Sequence, residues 1–257
     1  MRKILVVVMT VSGLGALAAD PTLDRGSFGT FVRSLNTTAY GYQVVEDPTG
    51  TAPTPTVERF EVRPGDCGAD AGWSDCAHDR ERSELSQKDS RHPAGSTYWY
   101  GWSMYVPADY INVFPTKVDL GQFHQDKSHP VWMFQNGDGG YSLDEQVRGR
   151  SGRQFKLIED QGLRGTWHKI EVQAKWSRDA DGVFKVWVNG VQKADYAGPT
   201  MSATATYFKY GVYRSFMSRY RNAKGVKDVP GQTVYYANVR RSDTREGLAP
   251  AAAKKAS

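Results

Sequence analysis

Short runs rich in β-branched and aromatic residues fill most of this sequence, and they constrain its fold more than any other feature. They are separated by Gly, Pro, Asp and Asn, and helical periodicity is almost absent. This pattern is typical of β-strands. The candidate strands are residues 29–33, 40–46, 57–63, 81–87, 97–106, 118–125, 131–135, 154–158, 168–176, 182–188, 207–214 and 233–241. So many short strands predict an all-β, single-domain sandwich of two antiparallel sheets, of the jelly-roll (concanavalin-like) type.

One hairpin can be located from its turn. Residues 183–188 are followed by Asn189-Gly190, a dipeptide that favours a type I′ turn between antiparallel strands. We therefore expect residues 183–188 to pair with residues 191–193 in the middle of a meander.

The two ends of the chain differ from its middle. Residues 1–19 combine a basic start, a short apolar run and small residues at the end, which predicts a signal peptide cleaved after Ala18 or Ala19. The protein is then expected to be secreted or periplasmic, without a membrane span. Residues 246–257 are rich in Ala, Pro and Lys and predict a disordered tail. Residues 20–245 remain as the single folded domain.

The two cysteines and the net charge indicate the environment and the partner. Cys67 and Cys76 flank a polar loop, and in an oxidising compartment such a close pair predicts a disulfide. Only His78 and scattered acids lie nearby, so no metal site is predicted. The net charge of +5 suits an acidic polymer. Basic residues are spread along the chain, which favours an anionic polysaccharide over nucleic acid. We expect a monomer.

Three candidate strands carry polar side chains on one face. They are Arg82 and Glu84 on the first, Gln122 and His124 on the second, and Tyr207, Lys209 and Tyr213 on the third. Alternation along a strand places each set on one face of a sheet. Gly211 is expected to leave a gap in the third face, where a backbone or a sugar can approach. The simpler alternatives are that Arg82 pairs with Glu84, and that the third strand is an ordinary aromatic edge.

If these strands lie side by side, their side chains suit β-elimination of a 4-linked uronic acid. That reaction needs a group to neutralise the C6 carboxylate, a base for the C5 proton and an acid for the departing O4. Arg82 and Gln122 suit the carboxylate. His124 and Tyr213 suit proton transfer, with Lys209 or Arg214 favouring the phenolate form of Tyr213.

Hydrolysis on the same scaffold would need two carboxylates at a fixed separation. The acidic pairs at 144–145 and 159–160 are adjacent in sequence and so face opposite ways on a strand. No Ser-His-Asp signature, P-loop, HExxH motif or EF-hand loop is present.

The three motifs Arg-Ser-Glu-Leu at 82–85, Gln-Phe-His at 122–124 and Tyr-Phe-Lys-Tyr-Gly-Val-Tyr at 207–213 occur in this order. They resemble the signature strands of β-jelly-roll polysaccharide lyases, which include alginate lyases, glucuronan lyases and the heparin lyase I group. The ending Lys-Tyr-Gly-Val-Tyr-Arg is more similar to the glucuronan and heparin lyase I side. Ser86 stands where alginate lyases usually have a second arginine, which weakens the case for alginate.

The resemblance implies a catalytic quartet of Arg82, Gln122, His124 and Tyr213. It also implies that Lys209 contacts the substrate, and we add Glu84, Tyr207 and Arg214 as candidate substrate-binding residues. No cofactor is expected; some relatives bind structural calcium, for which no ligands can be assigned here. A glucuronan-type polymer is the preferred substrate. Alginate, polymannuronate or glycosaminoglycan cleavage, and a non-catalytic carbohydrate-binding sandwich, remain alternatives.

Overall fold

The computed structural model describes residues 17–87, 89–126 and 128–250. Two antiparallel sheets face each other across one hydrophobic core, so the predicted jelly-roll sandwich is confirmed. The predicted signal peptide lies outside the described residues up to residue 16, and so does the predicted tail from residue 251. In the described residues, no helix is long and apolar enough to cross a membrane.

The first sheet carries the three motif strands. Its members are β1 (Phe31–Arg33), β4 (Arg80–Gln87), β5 (His92–Pro93), β7 (Lys117–Gln125), β8 (Pro130–Gly137), β9 (Gly140–Glu145), β10 (Gln154–Glu159) and β14 (Ala205–Ser215). They are arranged in the order β1-β4-β14-β7-β8-β9-β10, and β5 pairs with β14.

The second sheet backs the first. Its members are β2 (Tyr42–Glu46), β3 (Thr56–Val62), β6 (Thr97–Tyr105), β11 (Trp167–Lys175), β12 (Val183–Val188), β13 (Val191–Ala197) and β15 (Gln232–Ser242), in the order β13-β12-β11-β6-β15-β3-β2. Two short α-helices, α1 (Asp160–Leu163) and α2 (Met217–Lys224), and a 3-10 turn at Glu246–Leu248 complete the described elements.

Alternation along β6 explains how the sheets hold together. Tyr100, Trp102 and Met104 are buried and point at the first sheet. The Tyr100 ring lies 4.8 Å from that of Phe123 on β7, and the Trp102 ring lies 5.2 Å from that of Phe208 on β14. Burying aromatic rings of this size supplies much of the hydrophobic free energy of a sandwich. The core therefore anchors β7 and β14 from beneath, which fixes their opposite faces.

The predicted hairpin is confirmed. Val188 at the end of β12 pairs with Val191 at the start of β13. Asn189 and Gly190 have φ values of 49° and 82°, as a type I′ turn requires.

Several short elements escaped the sequence patterns, β9 and α2 among them. β9 begins at Gly140, whose φ of 115° favours glycine, and its mixed sequence Gly-Tyr-Ser-Leu-Asp-Glu lacks a run of β-formers. Helix α2 lies in the basic segment 215–230, between the last two candidate strands. Asp79 accepts hydrogen bonds from the Ser218 amide at 2.9 Å and from Arg221 at 2.8 Å, so the helix start is held by another part of the chain.

The structure describes a few residues beyond each predicted domain boundary, and the boundaries themselves stay predictions. The Ala19 amide donates to the Phe31 carbonyl at 2.9 Å, so the last residues of the predicted signal peptide pair with β1. The cleavage site itself stays a prediction. At the other end, Leu248 is 1% exposed and packs over Gly101, with 3.2 Å between a Leu248 methyl and the position of a Gly101 Cβ. Residues 246–248 are thus ordered, because an apolar side chain fills the hollow that a glycine leaves.

The predicted disulfide between Cys67 and Cys76 is present, with 5.1 Å between the two Cα atoms. It closes the loop that precedes β4. That loop brings Asp75 against the first motif strand, so the bridge positions part of the site described next.

Candidate active site

The three motif strands lie side by side in the order β4-β14-β7, as the predicted site requires. Tyr213 on β14 is opposite Arg82 on β4, and Lys209 is opposite Gln122 on β7. These side chains open into one cavity of about 570 Å³, whose lining includes Arg80, Arg82, Gln122, His124, Lys209 and Tyr213. The four residues that match the catalytic quartet of jelly-roll lyases are therefore brought together.

Gly211 does not provide the predicted gap for a sugar. Its φ is 128°, and a Cβ there would lie 2.4 Å from the Ser83 carbonyl oxygen and 2.7 Å from Cδ1 of Phe60. The space is thus filled by the backbone of β4 and by the core. Glycine is needed here for close packing between strands and not for access of a ligand.

A register shift on β7 changes which residues face the cavity. The pairing of β14 with β7 slips between Tyr210 and Tyr213, so that Tyr213 lies opposite Asp119. Leu120 stays in the core while Lys117 joins Gln122 in the cavity lining. Simple alternation would place Lys117 on the face opposite Gln122, and the β-bulge removes that conflict.

Glu84 is the shared acceptor, or hub, of a buried polar network and not the substrate contact that we predicted. It is 2% exposed and accepts hydrogen bonds from Gln122 at 2.6 Å and from Arg82 at 3.3 Å, and it also pairs with the Lys209 ammonium. Its oxygens are therefore occupied by protein donors. Glu84 holds three cavity residues in place, one from each of the motif strands, and the simpler expectation that Arg82 pairs with it is confirmed.

Lys209 is buried beside this hub. Burial lowers its pKa, and the Glu84 carboxylate opposes that shift. The lysine lines the cavity while its charge is matched by Glu84. Such pairing stabilises a buried cation that would otherwise be costly.

Arg82 forms a bidentate ion pair that the sequence did not predict. Its Nε and Nη2 each donate to Asp75 at 2.6 Å, and Asp75 is fully buried in the disulfide-closed loop. The Trp73 indole also donates to Asp75, at 2.9 Å. A bidentate arginine–carboxylate pair is strong and geometrically defined. The guanidinium lies 4.5 Å from the centre of the Tyr213 ring, so it is fixed against the phenol.

Tyr213 receives a hydrogen bond from Arg80, a second residue that the motif match did not include. Arg80 Nε donates to the Tyr213 hydroxyl oxygen at 3.0 Å. Burial raises the pKa of Tyr213 to about 12, and the charges of Arg82 and Arg80 oppose that rise. We had expected Lys209 or Arg214 to favour the phenolate. The cations in contact with the phenol are Arg80 and Arg82 instead.

His124 is held as a neutral imidazole. Its Nδ1 lies 2.8 Å from the Gln125 carbonyl oxygen. A carbonyl oxygen can only accept a hydrogen bond, so Nδ1 carries the proton and Nε2 keeps its lone pair. Burial and the charge of Lys209 lower its pKa to about 4. The ring stacks against Tyr207 with centroids 5.2 Å apart, and Arg91 lies 4.2 Å above the Tyr207 ring. Tyr207 therefore supports His124.

Arg214 does not belong to the cavity. It is fully buried, pairs with Glu81 and donates to the Pro230 carbonyl. Alternation along β14 puts it on the face opposite Tyr213, where no substrate can reach it. Its predicted role in substrate binding is wrong. The sequence did not reveal that Arg214 would pair with Glu81, a buried acid on β4.

The residues that were missed had only partial signals. Arg80 lies two positions before Arg82, so strand periodicity would place both on one face once β4 is known to begin there. Asp75 carries no signal, because its partner comes from a loop that the disulfide folds back. Asp119 required knowledge of the register shift.

The described residues contain no group of three or more His, Cys, Asp or Glu side chains that could hold a metal ion.

The sandwich is similar in fold to solved structures of polysaccharide lyases. An endo-β-1,4-glucuronan lyase from the fungus Trichoderma reesei superposes with a TM-score of 0.60 at 16% identity, covering 88% of this chain and 95% of that one. The alginate lyase AlgAT5 of polysaccharide lyase family 7 gives a TM-score of 0.54 at 16% identity, over 80% of this chain and 82% of that one. At such identities the likeness concerns the fold.

Among curated proteins, none matches this sequence. The family model described as polysaccharide lyase matches residues 23–240, a span that contains all three motif strands and the cavity between them. The chain belongs to the polysaccharide lyase family.

Proposed function

We propose that this lyase cleaves a 4-linked uronic-acid polymer, with a glucuronan-type chain preferred, by β-elimination at the β4-β14-β7 cavity. The observation that carries the proposal is the Tyr213 hydroxyl, which accepts a hydrogen bond from Arg80 while Arg82 lies against its ring. Two cations on one phenol favour its ionised form, which is the form that can remove a proton.

The first requirement of the reaction is neutralisation of the C6 carboxylate, because the C5 proton is otherwise too weakly acidic. Arg82 is bound on one edge by Asp75, so its main task is to hold its neighbours. Arg80 lines the cavity and forms no ion pair in the described part of the chain. We assign Arg80 and Gln122 to the carboxylate and Arg82 to the support of Tyr213. Preorganised donors of this kind stabilise the charge that develops in the transition state.

The second requirement is proton transfer. The Tyr213 phenolate takes the proton from C5, the electron pair forms the C4–C5 double bond, and the C4–O4 bond breaks. In β-glucuronate and β-mannuronate, H5 and O4 lie on the same side of the ring. One residue can then act first as the base and afterwards as the acid, so Tyr213 returns its proton to the departing O4.

His124 has the protonation state of a base. The free lone pair on Nε2 and the low pKa make it a neutral acceptor above about pH 4. With guluronate or iduronate, H5 and O4 lie on opposite sides of the ring. There His124 is the base and Tyr213 the acid.

Three observations favour glucuronan over alginate. The strand β14 ends in the glucuronan-like motif, Ser86 replaces the second arginine of alginate lyases, and a fungal glucuronan lyase shares the fold over 95% of its length. Polymannuronate and glycosaminoglycans offer the same carboxylate and are tested in parallel. The described disulfide and the basic-then-apolar start of the sequence support export, and we propose a monomer that acts outside the cytoplasm.

The test is a panel of glucuronan, polymannuronate, polyguluronate, hyaluronan and heparin, with ultraviolet absorbance of the new double bond as the readout. We expect the largest signal with glucuronan. The Tyr213→Phe variant should lose at least about 100-fold in kcat, since a general base contributes about 10²–10⁴. Tyr235→Phe is the matched control, because Tyr235 lies on β15 in the other sheet.

Two outcomes would overturn the proposal. Release of reducing ends without absorbance would indicate a hydrolase. Binding of a polyuronate with no cleavage of any polymer would indicate a carbohydrate-binding sandwich. Substantial activity in Tyr213→Phe would remove that residue from its proposed role.

A further inference from the structure

Two further hollows lie beside the catalytic cavity. The cavity lining includes His129, and a second hollow of about 460 Å³ is lined by His129, Arg148 and Arg178. A third hollow of about 700 Å³ shares Arg148 with the second and adds Arg150 and Arg153. Neighbouring hollows share lining residues, so the three lie next to one another and form a path along the segment that follows β9.

The path is strongly basic, and its charges are unmatched. Arg148, Arg150, Arg153 and Arg178 are all exposed. In residues 17–87, 89–126 and 128–250, none of these guanidinium groups has an acidic partner, although ion pairs occur elsewhere on the surface. The only acid in the lining of the third hollow is Glu145, which accepts a hydrogen bond from the Val147 amide at 2.7 Å. Like charges held together repel each other, so an anion is the natural complement of this surface.

The wall of the path is rigid where the arginines emerge. Tyr196 donates to the Pro199 carbonyl at 2.9 Å and packs edge-on against Trp132 with centroids 5.1 Å apart. The Arg153 guanidinium lies 5.4 Å from the Tyr196 ring. A guanidinium placed beside a fixed aromatic ring keeps its fork of donors free for a carboxylate.

We propose that Arg148, Arg150, Arg153 and Arg178 form an extended binding track for uronate residues of the same polymer, beyond those in the catalytic cavity. The track rests on the proposed function only for the identity of its ligand. Continuity with the cavity favours one polymer chain over a separate anion. Its consequence is that long chains bind more tightly than short ones, at an unchanged chemical step.

The test compares Arg148→Gln/Arg150→Gln/Arg153→Gln with Lys169→Gln/Lys185→Gln/Lys193→Gln. The second triple removes the same charge from strands β11, β12 and β13 of the other sheet. The substrates are the polymer that the wild type cleaves best and its tetrasaccharide. Each exposed ion pair contributes little by itself, so three lost contacts should together raise KM for the polymer roughly ten-fold. We expect kcat, and KM for the tetrasaccharide, to change less than two-fold.

Salt provides a second readout. The dependence of KM on salt should be weaker in the arginine triple than in the lysine triple, because fewer charges are screened. An equal rise in KM for both triples, or an equal rise for tetrasaccharide and polymer, would overturn the track.

If the wild type cleaves no polyuronate, the proposed function fails and the track is judged by retardation in gels that contain a polyuronate or inorganic polyphosphate. Selective loss of polyuronate retardation in the arginine triple supports the track. Selective loss with polyphosphate alone, or loss with neither polymer, refutes it.

Discussion

A buried acid on β7 offers a test of the structure that needs no substrate. Asp119 is 2% exposed, and neither of its carboxyl oxygens has a hydrogen-bond partner among the described residues. Burial raises the pKa of Asp119 from 3.8 to about 7. At about 1.36 kcal/mol per pH unit, the difference corresponds to about 4 kcal/mol of stability.

The sign follows from proton binding. Between about pH 4 and pH 7 the folded chain keeps a proton on Asp119 that the unfolded chain has lost. The free energy of unfolding should therefore fall by about 4 kcal/mol as the pH rises through this window, and the loss should be complete above pH 7. In the Asp119→Asn variant this contribution is absent at every pH.

The assay is urea unfolding followed by tryptophan fluorescence from pH 4 to pH 8, with the disulfide intact. The free energy of unfolding of Asp119→Asn minus that of the wild type should grow by about 4 kcal/mol between pH 4 and pH 8. Asp109→Asn is the control, because Asp109 is exposed in the loop after β6. A difference that stays constant across the range would refute the burial of an uncompensated carboxyl.

The same variant reports on catalysis. Asp119 lies opposite Tyr213, and its negative charge contributes to the raised pKa of that phenol. Removing the charge should move the limb of kcat/KM that reflects ionisation of Tyr213 to lower pH. General loosening of the fold would lower the rate without moving that limb.

Two further substitutions test the supports of the cavity. In Arg80→Gln the phenol of Tyr213 loses a cation that opposes its raised pKa. The value of kcat/KM at pH 7 should therefore fall by roughly 10–100-fold, and the limb of its pH profile should move to higher pH. Arg63→Gln is the control, because Arg63 directly follows β3 of the other sheet, and an unshifted limb would contradict the assignment. Glu84→Gln leaves Arg82 and Lys209 without their shared carboxylate, so the free energy of unfolding should fall by about 3–5 kcal/mol, and a loss below about 1 kcal/mol in urea unfolding would show that Glu84 is not the hub.

The residues of the site could be predicted from the sequence because their positions follow a local rule. Period-two alternation put Gln122 with His124 and Lys209 with Tyr213 on common faces, and the structure keeps both pairs in one cavity. Glu84 obeyed the same rule and was still misassigned. Alternation reports the face of a residue, whereas its role depends on donors that arrive from β7 and β14.

The sequence by itself determined the all-β class, the hairpin at Asn189-Gly190, the disulfide and the three strands of the cavity, because each depends on residues close together in the chain. Only the tertiary structure decided that Arg80 contacts Tyr213, that Asp75 clamps Arg82 and that Arg214 is sealed in the core. Those outcomes depend on strand order, on a one-residue shift in register and on a loop folded back onto the sheet. Charged residues from distant parts of the chain come into contact only after these features have formed. Local sequence patterns therefore do not predict such contacts.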